Sequence, residues 1–196
     1  DGGKTWGKNI LVYRSPDGSV CECCHPSIAY DSEGKIYVQW RNAVGGARDI
    51  YVATSADAGK TFGKASKMGG GSWPLDACPM DGGAIAINSP DKFSTVWRRE
   101  KSIYLTTTGE KDEHRLGVGE QPWITATNEG PYVVWLQKRG DAARLLPPGK
   151  QTPIELAPHA NDPVIATGPN GKGPVVTVWE TKEGKNYTLQ CKVIQE

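Results

Sequence analysis

Four of the five cysteines lie in two short segments that also carry a histidine and a methionine. The first segment is Cys21-Glu22-Cys23-Cys24-His25, and the second includes Cys78 and Met80. Closely spaced thiols form disulfides in oxidising compartments, and as thiolates they bind soft metals. The sequence therefore predicts a disulfide within this group, with Cys191 as the odd thiol, while a vicinal bond between Cys23 and Cys24 stays open.

Two alternatives use the same residues. Cys21, Cys24 and His25 fit the Cys-x-x-Cys-His signature of c-type haem attachment. In that case His25 is the proximal iron ligand, and Met80 or His159 is the distal one. The second alternative is Cu(I) or Zn bound by thiolates together with His25 and Met80. A predicted strand rather than a helix follows His25, which argues against haem, so we expect no cofactor.

The elements that must position these residues recur four times. Each repeat has a short apolar strand, a polar turn, and a β-branched strand that ends in tryptophan, which is the pattern of an antiparallel hairpin. These hairpins cover 26–40, 83–97, 122–135 and 163–179. A third strand is predicted after each, at 50–54, 103–107, 143–146 and 187–193. The recurrence favours a β-propeller, with a β-sandwich as the alternative.

A turn motif supports the propeller. Residues 55–62 fit the pattern Ser-x-Asp-x-Gly-x-Thr-aromatic, and residues 1–6 fit its second part. Aspartate accepts hydrogen bonds from amides of its own turn, and glycine adopts positive φ without a Cβ clash. The pattern resembles the Asp-box, or BNR repeat, of sialidases and related propellers, which implies a structural element on the face away from the active site. The motif positions are Asp1, Gly3, Thr5, Trp6, Ser55, Asp57, Gly59, Thr61 and Phe62.

We therefore expect an all-β chain with one domain or partial domain over residues 1–196. It forms either a closed four-bladed propeller or a fragment of the six-bladed propeller that the resemblance implies. An N-terminal strand over 9–14 is predicted to complete a blade by pairing with 187–193, or with a strand from absent or neighbouring blades. Closure of this kind removes exposed sheet edges. In the fragment case, about two missing blades or a second chain would complete the ring.

Propeller topology predicts one functional face. Loops that lead into innermost strands and loops that follow second strands open on the same side, so neighbouring blades bring Cys78 close to Cys21, Cys23 and Cys24. We expect a disulfide between Cys78 and one of these three, with Cα atoms within about 7 Å. The candidate ligand-binding residues on this face are Arg41, Arg48, Asp49, Trp73, Asp76, Asp81, Arg98, Arg99, Gln121, His159, Asp162 and Glu180.

The resemblance leaves two functions open. Sialidases hold a carboxylate with three arginines, and Arg41, Arg48 and Arg98 lie in suitable loops. Alternatively, Arg48 with Asp49, and Arg98 and Arg99 with Glu100, form ion pairs that order their loops. The sequence has no Phe/Tyr-Arg-Ile-Pro segment and no assignable nucleophile pair, so we assign no catalytic residues. We expect a glycan-binding or noncatalytic module, with a glycoside hydrolase of the exo-sialidase type as the alternative.

Bulk composition narrows the partners. The chain contains 24 Gly and 14 Pro with 37% hydrophobic residues, which suits many short strands joined by tight turns. Its formal net charge of +1 argues against nucleic acid or an anionic membrane as the main partner. Apolar runs are too short for a membrane span. We expect a periplasmic or secreted protein whose partner is a glycan or a small acidic ligand.

Overall fold

A computed structural model describes residues 1–195 as four antiparallel β-sheets. Sheet 1 contains β1 (Ser27–Tyr30), β2 (Ile36–Arg41), β3 (Ile50–Ser55) and β4 (Ser66–Lys67). Sheet 2 contains β5 (Ala84–Ser89), β6 (Lys92–Arg99), β7 (Ser102–Thr107) and β8 (His114–Val118). Sheet 3 contains β9 (Glu120–Thr127), β10 (Gly130–Leu136), β11 (Ala143–Leu146) and β12 (Ile154–Ala157). Sheet 4 contains β13 (Asn161–Ala166), β14 (Val175–Glu183) and β15 (Asn186–Gln195).

The four predicted hairpins are confirmed. The first two strands of each sheet pair antiparallel, and the third strand pairs with the second. Strand order follows chain order in every sheet, so each is a simple meander. The described part of the chain contains two short 3-10 helices, Val44–Gly46 and Pro169–Gly171, and no helix long and apolar enough to cross a membrane.

The sheets pack face to face in the order in which they occur along the chain. Tyr37 and Val52 of sheet 1 pack with Ile85 and Phe93 of sheet 2. Sheet 2 packs on sheet 3 through a cluster that includes Ala84, Val96, Ile103, Ile124, Val133 and Trp135. Sheets 3 and 4 share a cluster of Tyr132, Val134, Leu145, Ile165 and Val175. These small apolar layers fix the angular position of each sheet, and therefore of the loops at its ends.

The two outer sheets each keep an exposed apolar face. In sheet 1, Ile28 and Tyr30 are 70% and 76% exposed, and in sheet 4, Leu189 is 74% exposed. Sheet 4 has three strands, and β15 is its edge. Residues 1–195 thus form a run of four blade-like sheets in which no strand pair links the last sheet to the N-terminal segment.

The predicted N-terminal strand over 9–14 is absent from this structure, and its alternative pairing with a strand from other blades stays a prediction. These residues form no strand and do not pair with 187–193. Instead, the Tyr13 ring lies 4.8 Å from the Trp40 ring, and the Tyr13 hydroxyl accepts a hydrogen bond of 2.9 Å from the Asn42 amide. The ring contact with Trp40 and the hydrogen bond from Asn42 hold Tyr13 against sheet 1.

Strand direction defines two ends of the molecule. The innermost strands β1, β5, β9 and β13 all begin at one end, which we call the leading end. Register places the start of β3 beside the end of β2 there, because Arg41 pairs with Ile50. The turn that follows Ser55 lies at the other end, the trailing end, because Ser55 pairs with Ile36 and Ile36 with Tyr30. The predicted separation between the 55–62 turn and the candidate face therefore holds in this chain.

Candidate functional site

A concave pocket of about 220 Å³ opens at the leading end, and we call it the central pocket. Each of the four sheets contributes to it through the residues that lead into, or begin, its innermost strand. Its lining consists of His25, Met80, Asp81, Gln121, Pro122, Trp123, Asp162, Pro163 and Val164. Three of the predicted ligand-binding residues, Asp81, Gln121 and Asp162, meet there.

The same position of each repeat, the residue just before the proline or glycine that opens the hairpin, lies at the pocket. His25, Gln121 and Asp162 each precede a proline at the start of an innermost strand. In sheet 2 this position is Gly82, where an added Cβ would lie 1.9 Å from the His25 carbonyl oxygen. Glycine therefore allows the two loops to touch. Three repeats place a polar side chain around the pocket, and the remaining repeat instead provides the close contact.

Three residues of the pocket have left-handed backbone. Met80, Gln121 and Asp162 have φ values of 50°, 53° and 46°, although none is glycine. Left-handed backbone is costly for residues other than glycine. Register shifts in the first hairpins of sheets 3 and 4 accompany Gln121 and Asp162. The fold holds these residues in conformations that direct them to the pocket.

Asp81 is the buried acid of the pocket, with 1% of its surface exposed. Its Oδ2 atom accepts a hydrogen bond of 2.7 Å from the Gln121 backbone N–H. Its Oδ1 atom is buried without a hydrogen-bond partner among residues 1–195. Burial raises the pKa of Asp81, and this effect exceeds the opposing effects of the Gln121 N–H and of the charges on Arg41 and Arg98. The carboxyl group is therefore prepared to hold a proton or to accept a donor from a ligand.

A polar rim and an aromatic wall complete the pocket. The Gln121 side-chain amide donates a hydrogen bond of 2.5 Å to Asp162, whose carboxylate lies 3.8 Å from Arg139. The His25 and Trp123 rings stack with centroids 5.5 Å apart and planes inclined by 27°. Flat apolar rings beside hydrogen-bonding groups match the two kinds of surface on a sugar ring.

Arg41 is part of the supporting structure beneath the pocket rather than part of its surface. It is 1% exposed, and its guanidinium donates to the backbone carbonyls of Asp81, Arg48 and Arg98. The Trp73 ring lies 5.4 Å from this guanidinium and 5.6 Å from that of Arg98. Three loops are thus tied together by one cation, which is the loop-ordering role that the sequence left as the alternative to carboxylate binding.

The other predicted arginines and acids also hold loops. Arg98 pairs with Glu120 at 3.2 Å, and Arg99 pairs with Glu113 and lies 3.8 Å from the Tyr104 ring. Arg48 donates to the Leu75 carbonyl, and Asp49 accepts from the Trp73 N–H and pairs with Lys67. These contacts are loop-ordering pairs with partners more distant in sequence than predicted. Asp76, His159 and Glu180 do not line the central pocket.

The cysteine cluster lies next to the pocket. Cys23 and Cys78 form a disulfide with Cα atoms 6.2 Å apart, and Cys23 is one of the three partners that the sequence allowed. Cys21 and Cys24 are free and buried, whereas Cys191 is free and exposed on β15 in sheet 4. The Asp81 N–H donates to the Cys24 sulfur at 3.4 Å. Burial raises the pKa of Cys24 to about 11.

The two cofactor alternatives, haem and a soft metal, can be compared with the positions of these residues. Within residues 1–195, the group of potential metal ligands comprises the sulfur atoms of Cys21, Cys23 and Cys24, without His25. Cys23 is committed to the disulfide, and His25 and Met80 line the central pocket. The Cys21 and Cys24 sulfurs, which haem attachment would use, are buried 3.4 Å apart. Haem and a soft metal stay predictions that these positions do not favour.

Sequence reasoning missed both aromatic rings of the pocket, among other lining residues. It assigned His25 only to haem or metal and did not assign Trp123 at all, yet these rings form the aromatic wall. A usable signal was present, because a polar residue followed by proline starts the innermost strand in sheets 1, 3 and 4.

No protein-family model and no curated protein matches the chain. Among solved structures, it is similar to a protein of unknown function from Dyadobacter fermentans, with a TM-score of 0.61 and 16% identity, covering 98% of this chain and 65% of that one. It is also similar to the alpha-L-arabinofuranosidase Arb93A from Fusarium graminearum, with a TM-score of 0.58 and 12% identity over 87% of this chain and 57% of that one. An alpha-L-arabinanase from Penicillium chrysogenum complexed with arabinobiose gives a TM-score of 0.53 and 14% identity, over 86% and 61%.

These similarities concern the fold. The neighbours are β-propellers, and the four sheets described above fit four blades. The chain spans between 57% and 65% of the length of the solved structures just named.

Proposed function

We propose that this chain is a segment of an exported, sialidase-like β-propeller that binds a glycan in the central pocket. The observation that carries the proposal is Asp81, a buried carboxyl group that lines the pocket and has one oxygen without a hydrogen-bond partner among residues 1–195. A buried polar atom without a partner costs free energy, so a ligand hydroxyl that donates to Asp81 would gain a strong bond.

The surrounding groups support a sugar rather than a purely apolar ligand. Asp162 and Gln121 offer polar contacts at the rim, and Trp123 offers a flat apolar surface. Sugar rings present hydroxyls at their edges and C–H groups on their faces, so they use both kinds of contact. The glycan-active enzymes among the structural neighbours support this choice at the level of the fold.

Two further features support the sialidase-like and exported parts of the proposal. The 55–62 and 1–6 turns share hydrogen bonds, since Asp57 and Asp1 each accept the backbone N–H of the threonine four residues later, at 2.9 Å in both turns. Those are the bonds expected of an Asp-box. The Cys23–Cys78 disulfide supports an oxidising compartment. The exposed outer faces of sheets 1 and 4 are suited to further blades.

A glycoside hydrolase is the second candidate, and the presence of two carboxyl groups, Asp81 and Asp162, in the lining of one pocket favours it. Most glycosidases use two carboxyl groups, one protonated and one ionised. The raised pKa of Asp81 suits a proton donor, and Asp162 offers a second carboxyl group at the rim of the same pocket. The three-arginine clamp of a sialidase is not part of this proposal, because Arg41 serves backbone carbonyls.

A binding and hydrolysis panel tests both candidates. Calorimetric titration with arabino-oligosaccharides and with sialyl-oligosaccharides measures binding, and fluorogenic arabinosides and sialosides measure hydrolysis. We expect saturable binding of one class that Asp81→Asn weakens. Asp76→Asn is the matched control, because Asp76 belongs to the same loop but lies outside the pocket lining. Equal weakening by both variants, or no binding of any glycan, would contradict the proposal.

The proposed function needs no cofactor. An absorption spectrum of the purified protein tests haem, and elemental analysis tests copper and zinc.

A further inference from the structure

The four clustered cysteines are arranged in two layers. Cys23 and Cys78, which form the disulfide, are exposed at the leading end. Cys21 and Cys24 are free thiols beneath them, 5% and 7% exposed. A bonded pair that solvent reaches thus covers an unbonded pair that solvent scarcely reaches.

All the sulfur atoms of the Cys21–Cys24 segment are in contact. The Cys21 sulfur lies 3.6 Å from that of Cys23 and 3.4 Å from that of Cys24, and the Cys23 and Cys24 sulfurs are 3.8 Å apart. A disulfide sulfur is attacked by a thiolate that approaches it directly. Both buried thiols are therefore within a small displacement of the exposed disulfide and of each other.

We propose that these cysteines form a thiol–disulfide relay, in which the exposed Cys23–Cys78 disulfide oxidises the buried Cys21 and Cys24 pair. A small external disulfide of the glutathione type then regenerates the exposed bond. The relay is a redox activity separate from the glycan site, and it does not depend on the proposed function.

The steps balance within the protein. Cys21 loses a proton, and its thiolate attacks the Cys23 sulfur. A Cys21–Cys23 bond forms, the Cys23–Cys78 bond breaks, and Cys78 leaves as a thiolate that takes up a proton. Deprotonated Cys24 then attacks the Cys21 sulfur and releases Cys23, which is protonated in turn. Two electrons and two protons have passed from the buried pair to the exposed pair.

Regeneration uses the external disulfide. Cys23 and Cys78 transfer two electrons and two protons to oxidised glutathione, which becomes two molecules of reduced glutathione. A mixed disulfide between glutathione and one exposed cysteine is the intermediate. The exposed pair thereby delivers oxidising equivalents to thiols that glutathione itself reaches poorly.

The surroundings favour this exchange over a metal site. The described sulfur group has only two unbonded members, Cys21 and Cys24, since Cys23 is bonded. Burial raises the pKa of Cys24 to about 11, and the positive charge of buried Arg41 opposes this effect in part, in favour of the thiolate that the second step of the relay requires.

Disulfide mapping tests the relay in the full chain with Cys191→Ser, which removes the exposed thiol of sheet 4. The protein is incubated near the ordinary cysteine pKa of about 8.5, with and without oxidised glutathione, and is then acidified, denatured and alkylated. A glutamate-specific protease cleaves after Glu22 and separates Cys21 from Cys23 and Cys24. Without oxidant, we expect a fraction with a Cys21–Cys24 bond and with Cys23 and Cys78 alkylated. With oxidant, we expect both bonds and no alkylated thiol.

Two variants distinguish a relay from direct oxidation. In the Cys23→Ala/Cys78→Ala variant, we expect oxidised glutathione to form the Cys21–Cys24 bond more slowly, on the order of tenfold. In Cys21→Ser, Cys23–Cys78 should remain the only bond under all conditions, and this test still applies if the double variant does not fold.

Four results would overturn the proposal. They are full alkylation of Cys21 and Cys24 in both incubations, an unchanged oxidation rate in the double variant, a Cys24–Cys78 bond in Cys21→Ser, and stoichiometric copper or zinc that protects the two buried thiols.

Discussion

Asp57 at the trailing end and Asp81 at the leading end are both loop aspartates, but their surroundings shift their pKa values in opposite directions. Asp57 lies near the surface and accepts hydrogen bonds from the Thr61 N–H at 2.9 Å, the Thr61 hydroxyl at 2.6 Å and the Ser55 hydroxyl at 2.8 Å. These bonds lower its pKa to about 2. Asp81 is buried, has one unpartnered oxygen, and has a raised pKa.

The difference separates a structural carboxylate from a functional candidate. The partners of Asp57 all belong to its own turn, so a ligand would add little to it. The Asp81 carboxyl group receives one hydrogen bond. Burial of its other oxygen without a partner among residues 1–195 costs free energy, which a ligand or a proton can offset. Perturbed carboxyl groups of this second kind concentrate at binding and catalytic sites.

The largest expected effect is on the free energy of unfolding, and it comes from removal of the Cys23–Cys78 disulfide at the leading end. Cys23→Ala/Cys78→Ala removes a crosslink that spans 55 residues of sequence. Chain entropy predicts a loss in the free energy of unfolding of about 4 kcal/mol. Chemical denaturation of the variant and of the parent protein measures it. If the free energy of unfolding decreased no more than it does for a single substitution at an exposed position, the leading end would be held mainly by Arg41 and its carbonyl partners.

Asp81→Asn sharpens the comparison by testing ligand binding. We expect affinity for the glycan to fall about tenfold to a hundredfold, because a charge-capable acceptor is lost. Titration calorimetry measures this change against the Asp76→Asn control. If Asp57→Ala weakened binding as much as Asp81→Asn did, while both variants remained folded, the assignment of the two ends would be reversed.

The same Asp81 variant has a pH signature. A raised folded-state pKa means that the stabilising contribution of the neutral carboxyl is complete below its unfolded value of 3.8 and is lost as the pH rises through the folded value. We therefore expect the stability of the parent protein, relative to Asp81→Asn, to decrease as the pH increases. Thermal unfolding across the pH range measures the difference, and a constant difference would contradict the raised pKa.

Asp57→Ala should change the stability less than Asp81→Asn does, and its effect should depend on pH in the opposite direction. A lowered folded-state pKa contributes stability above the unfolded value of 3.8, and this contribution disappears as the pH falls towards 2. Denaturation at neutral pH should therefore show a less stable variant, and the two proteins should converge in acid. Glycan binding by the folded variant should be unchanged.

Sequence reasoning succeeded at the trailing end because the information there is local. Every hydrogen-bond partner of Asp57 lies within residues 55–62, so residue types and spacing were sufficient to predict them. The repeated hairpins were predictable for the same reason, since strand, turn and terminal tryptophan occur within one short segment.

The central pocket was only partly predictable because its contacts join distant parts of the chain. Asp81 receives its hydrogen bond from Gln121, and its backbone carbonyl accepts from Arg41, each forty residues away. His25 stacks on Trp123, which belongs to a sheet two further along. The predicted propeller topology was sufficient to place Asp81, Gln121 and Asp162 on one face. The burial of Asp81 and the stacking of His25 on Trp123 depend on packing, which the spacing of residues in the sequence does not reveal. The position of residues 9–14 was not predictable for the same reason, because Tyr13 lies against Trp40.

Because β15 is the edge strand of sheet 4, it affects how the protein behaves in solution. Tyr187, Leu189 and Val193 project from the same side of that strand and are 59%, 74% and 52% exposed. An uncovered edge with such side chains is a template on which further strands can grow. Concentrated samples should accordingly self-associate through sheet 4, and a Leu189→Lys substitution should improve solubility.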